Sequence, residues 1–92
     1  MLYYSSDNQI RRYRTQRGLS QREVALLLGQ GTQAHLSHWE RGNKMPTLIN
    51  ALKLSAALSC PVEILFSELF DRLREEVWSQ RKRYNVENRY DT

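Results

Sequence analysis

The sequence is short of several things, and each shortage excludes something. It has one cysteine, Cys60, so no disulfide can form within the chain. A lone cysteine suits a reducing compartment, and a cytoplasmic location is expected. No apolar run approaches the ~20 residues of a membrane span, and the opening MLYYSSDNQI lacks the apolar stretch of a secretion signal. No segment alternates apolar and polar residues over the length of a strand, and no repeat or low-complexity linker interrupts the chain. Metal ligands are scarce: His35 and His38 share a helical spacing, but no acidic cluster accompanies them and Cys60 is far off in sequence. The GQG at 29–31 follows no strand and precedes no P-loop lysine, so it reads as a turn. Ser, His and Asp occur at no spacing that suggests a catalytic set. Neither enzymatic activity nor a cofactor or metal is expected.

What the sequence does have is charge and helical punctuation. Its formal net charge is +4 over 92 residues, with one domain as the natural reading. Residues 1–50 hold seven Lys/Arg against three acids, whereas residues 51–92 hold seven of each. An excess confined to one half is the footprint of a polyanion partner, and equally of a surface kept soluble by charge.

Helix signals follow in order. Ser6 and Gln9 suggest a capping box for a first helix from near Asp7 to Gly18, with Ile10, Tyr13 and Arg14 inward. Ser20 and Glu23 form a second box, SQRE, ahead of Val24, Ala25, Leu27 and Leu28, and Gly29 closes that helix. A third helix is expected over about 33–41, capped by Thr32, with Leu36, Trp39 and Glu40 on its buried side and Gln33, Ser37, His38 and Arg41 on the other. After the loop GNKMP, Thr47 opens a fourth helix whose inward stripe is read as Leu48, Ala51, Leu52, Ser55 and Leu58. Pro61 opens a fifth, long helix with a stripe from Val62, Leu65 and Phe66 through Leu69, Leu73 and Val77. Cys60 is expected to be a buried thiol, and NVENRYDT a frayed end without core residues.

Two short helices joined by a small-residue turn outline a helix-turn-helix. The words GLSQREVA (18–25), LLLG (26–29), LSHWERG (36–42), PTL (46–48), LKLSAAL (52–58) and PVEILF (61–66) resemble, as a set, the Cro/phage-repressor type of helix-turn-helix, the XRE family. The resemblance covers Ile10 to Phe66 and implies an all-α, five-helix, lambda-repressor-like DNA-binding domain (1–66), here with an extended C-terminal helix (67–92). It implies that Gln33, Ala34, His35, Ser37 and His38 face DNA bases, with Gln33 suited to an adenine edge. It implies phosphate contacts from Gln21, at a helix N-terminus, and from Arg17, Arg22, Arg41, Asn43 and Lys44. Arg14 and Glu40 match a pair that links the first and third helices.

One departure stands out. Gly29 to Glu40 spans twelve residues where the family usually has eleven, which predicts a later start or a shifted docking angle for the recognition helix. The implied function is a transcriptional regulator on double-stranded DNA, a repressor acting as a homodimer through Leu65, Leu69, Leu73 and Val77. The alternative for that stripe is packing back on the fourth helix of its own chain. The rival reading is an antitoxin-type module that binds a partner toxin and regulates its own operon.

Overall fold

The computed structural model describes residues 8–87, which form six helices: α1 (Ile10–Gln16), α2 (Gln21–Leu27), α3 (Ala34–Glu40), α4 (Leu48–Leu58), α5 (Val62–Leu65) and α6 (Ser67–Arg83). The architecture is all-α, and the described residues contain no strand. No helix among them is long and apolar enough to cross a membrane. The core lies among α1 to α5, where Ile10, Val24, Leu36, Leu54, Leu58 and Leu65 are fully buried.

The box at α2 forms as its four residues predict. Glu23 N–H donates to Ser20 Oγ at 3.0 Å, and Ser20 N–H donates to Glu23 Oε1 at 2.9 Å. Two otherwise unbonded donors are thereby satisfied. The two bonds from Ser20, backbone first, hold the Glu23 carboxyl below its usual range. A depressed carboxylate stabilises the fold above its unfolded pKa, and the contribution is lost as pH falls through the folded value. Ser20→Ala should cost about 1 kcal/mol in chemical denaturation, with part of the difference from wild type vanishing in acid. An unchanged midpoint at neutral pH would mean that the box adds nothing.

Other expectations need revision. Ser6 and Asp7 lie outside the described residues, as do 88–92 of the expected frayed end. The N-cap position of α1 is Gln9, without a side-chain cap; Asn8 Oδ1 accepts from Ile10 N–H at 3.1 Å instead. Leu27 is exposed, because a two-turn helix can turn only Val24, Ala25 and Leu28 inward. In α4 the buried stripe is Ala51, Leu54 and Leu58, whereas Leu48 and Leu52 face out. LINALKLSAAL carries two overlapping leucine series, and contact with α1, α2 and α5 selects the second. Thr47 caps α4 as expected, accepting from Asn50 N–H at 3.2 Å. Cys60 is buried.

The long fifth helix is in fact two, with Pro61 at the N-cap position of α5. The break falls at Phe66 (φ −119°, ψ 45°), which ends α5 and opens α6. No proline or glycine causes it. Leu65 and Phe66, at the break, are both buried. Beyond the break α6 carries no buried residue. Leu65 is therefore a core residue and is unavailable as a dimer contact. Leu69 packs partly against the core, and Leu73 and Val77 lie exposed.

Candidate nucleic-acid interface

The candidate interface is built from α2, the turn after it, and α3. The turn closes on backbone bonds. Gly29 N–H donates to Leu26 O at 3.0 Å and Gln30 N–H to Ala25 O at 2.9 Å. This is the Schellman closure, and it needs the left-handed conformation that Gly29 adopts at φ 76°. The chain then crosses Gly31 and Thr32. Thr32 is not the N-cap of α3: Gln33 holds that position, and Thr32 Oγ1 accepts from Ala34 N–H at 3.2 Å one step outside it. The helix thus begins at Ala34, one residue later than the expected 33.

From behind, α3 is fixed three ways. Leu36 and Trp39 insert into the core. Asn8 Nδ2 donates to Trp39 O at 2.7 Å. Glu40 gathers three donors: Arg14 Nε at 2.6 Å, Arg14 Nη2 at 3.1 Å and Gln21 Nε2 at 3.1 Å. Arg14 Nη1 also donates to Leu19 O at 3.0 Å. One nearly buried carboxylate therefore ties α1, α2 and α3 together, and such an arrangement specifies geometry more than it adds stability.

In front, Gln33, Ala34 and His35 are exposed on the first turn of α3. The His35 ring stacks on Trp39 with centroids 6.2 Å apart, which orients the imidazole along the helix. Ser37 and His38 are half-buried. His38 does not lie wholly outward as expected: its Nδ1 is buried without a hydrogen-bond partner. Arg41 is exposed, its Nε folded back to Ser37 O at 3.3 Å, and Asn43 and Lys44 are exposed on the loop beyond. Arg22 is exposed in the first turn of α2 and shares a shallow hollow with Gln30, Gly31, Thr32 and Gln33.

Two of the expected phosphate contacts are otherwise engaged. Gln21, the first residue of α2, commits its amide N–H to Glu40. Arg17 stands at the C-terminus of α4, donating from Nε to Leu58 O at 2.9 Å and from Nη2 to Ser59 O at 3.2 Å. These carbonyls end a helix through a left-handed serine, Ser59, and a cation there also meets the negative end of the helix dipole. Arg17 is a cap for α4, apart from the α2–α3 face. Lys53 similarly holds Leu28 O at the end of α2, at 3.4 Å. Neither role carries a local sequence signal, because both are set by contacts more than 24 positions away.

Among the described residues, no three His, Cys, Asp or Glu side chains sit together as metal ligands. The surface is instead a helix with exposed amide and imidazole groups, flanked by Arg22, Arg41 and Lys44. It suits hydrogen bonding to base edges between cationic contacts to a phosphate backbone.

Comparison with known proteins agrees. The helix-turn-helix family model HTH_3 matches residues 10–65. Among solved structures, the restriction-modification controller protein C.AhdI from Aeromonas hydrophila is similar, with 38% identity and a TM-score of 0.58 over 63% of this chain and 86% of the other. No curated protein matches the chain.

Proposed function

This chain belongs to the HTH_3 helix-turn-helix family of DNA-binding transcriptional regulators, and we propose that it is a non-enzymatic, sequence-specific repressor that works as a homodimer by occupying its operator. The observation that carries this reading is α3 itself, held rigidly from behind by Leu36, Trp39 and Glu40 while Gln33, Ala34 and His35 stay open in front. The likeness to a restriction-modification controller protein supports a role in gene control of that kind.

In this reading α3 lies in the major groove. Gln33, at the helix start, bonds an adenine edge bidentately, and His35, Ser37 and the outer edge of His38 complete the face. Arg22, Arg41, Asn43, Lys44 and the N-terminus of α2 hold phosphates. A single module of this size buries only about 600–1,000 Å² on DNA. Two copies on a two-fold site, with half-sites about one helical turn apart, supply the rest.

Selection of bound sites from random DNA tests the proposal. It should return two related half-sites in inverted orientation. Gln33→Ala should then relax preference at one position in each half-site, by about 1–3 kcal/mol. Uniform weakening on all sequences would instead make Gln33 a backbone contact, and failure to enrich any sequence would refute specific recognition.

A further inference from the structure

Gln30 Oε1 and His38 Nδ1 are buried without a hydrogen-bond partner. The second of these lies on α3 and has a chemical consequence. His38 is half-buried in the last turn of the helix. Its Nδ1 is enclosed, whereas its Nε2 is neither enclosed nor bonded to any described residue. One imidazole nitrogen therefore faces the protein and the other is open to a ligand.

A neutral imidazole carries its proton on one nitrogen, and the bare nitrogen accepts. Which nitrogen holds the proton is set by what surrounds the other. The two placements are unequal here. A proton on Nδ1 would bury an N–H that has no acceptor, and buried donors are left unpaired more rarely than buried acceptors. A proton on Nε2 puts the one donor where an acceptor can reach it and encloses only a lone pair. The surroundings of the ring thus favour one tautomer. His35, about one turn earlier, is not held in this way: it is exposed, and its ring stacks on Trp39.

We propose that His38 reads DNA through Nε2–H alone, as a donor without an acceptor, and that it selects guanine. This deepens the regulator reading above and rests on it, since it needs α3 in the major groove. There guanine shows two adjacent acceptors, N7 and O6, and no donor. Adenine sets its N6 amino group beside N7, cytosine offers only the N4 amino group, and thymine has a single acceptor beside its methyl. A lone donor is opposed by an amino group and gains most where both neighbouring atoms accept. Gln33 differs in kind: its amide both donates and accepts, which suits adenine. One helix then carries two readers of different chemistry.

The tautomer can be read without DNA. In the full chain with nitrogen-labelled histidine, at about pH 8 where an imidazole is neutral, long-range proton–nitrogen correlation should show His38 Nε2 protonated and Nδ1 bare. A proton on Nδ1, or rapid averaging between the two, would overturn the proposal. The base is read on the duplex selected from random DNA. His38→Ala should abolish preference at one position of each half-site, and the base favoured there by wild type should be guanine. Replacing that guanine by adenine should weaken wild-type binding roughly tenfold to a hundredfold and affect His38→Ala little. His38→Gln should move the preference to adenine, because its amide supplies both a donor and an acceptor. A chain that had merely lost its fold could not gain a new preference. Adenine, cytosine or thymine at the His38-dependent position, or an unaltered preference in His38→Ala, would overturn the proposal and leave the regulator reading standing. Failure to enrich any sequence would overturn both, so the two failures are distinguishable.

Discussion

Glu40→Ala should destabilise the domain by about 3–5 kcal/mol, the cost of leaving a charge buried without its partner. The Arg14 side chain is only 12% exposed and that of Glu40 only 4%. Removing the carboxylate strands the Arg14 Nε and Nη2 donors and the Gln21 amide together. Domains of this kind have a total stability of about 5–15 kcal/mol, so the variant should sit near its unfolding threshold at physiological temperature. Urea denaturation gives the direct measure. A paired replacement, Arg14→Met with Glu40→Leu, should recover most of the loss, since an apolar pair needs no donors. A single-variant cost below about 1 kcal/mol would show that water satisfies Arg14 and that the pair is a surface one.

The second large effect is on DNA affinity. Three cations per copy, Arg22, Arg41 and Lys44, stand on or beside the α2–α3 face. Six such contacts in a dimer predict that operator affinity falls about 10³-fold between 50 and 200 mM salt. Removing one cation, as in Lys44→Ala, should flatten the logarithmic slope by about two, because the change occurs in both copies. Arg17→Ala should leave the slope unchanged and lower stability instead, since its donors serve the carbonyls of Leu58 and Ser59. A salt-independent affinity would remove the phosphate contacts from the mechanism, and an Arg17→Ala slope change would return that residue to the interface.

Much of this fold is legible in the sequence because its signals are local. The SQRE box, the glycine after each of α1 to α3, and Thr47 before α4 act within a few residues, and the helices form where these occur. The turn length is countable as well, and α3 starts at Ala34. What the sequence concealed depends on distant partners. Leu48 and Leu54 are equally apolar, and only packing against α1, α2 and α5 decides which faces in. The bend at Phe66 has no proline or glycine, so no local signal marks it. Arg17 and Lys53 look like solvated cations until the helix ends they cap come into position. The half-buried His38 is similar: helical spacing places it near the edge of the outer face, and the burial of its Nδ1 shows only in the folded chain.

The turn between α2 and α3 joins two helices that are each fixed independently of it. α2 is sealed by its own closing bonds at Gly29 and Gln30, and α3 is clamped from Leu36 onward, so the few residues between them touch α3 only at its first turn, where Thr32 and Gln33 bond to it. An insertion there leaves the core intact and passes its effect forward, to where the helix begins and which side chain leads it. The length of this one loop therefore decides which side chain leads the helix, while the residues that hold the helix stay where they are.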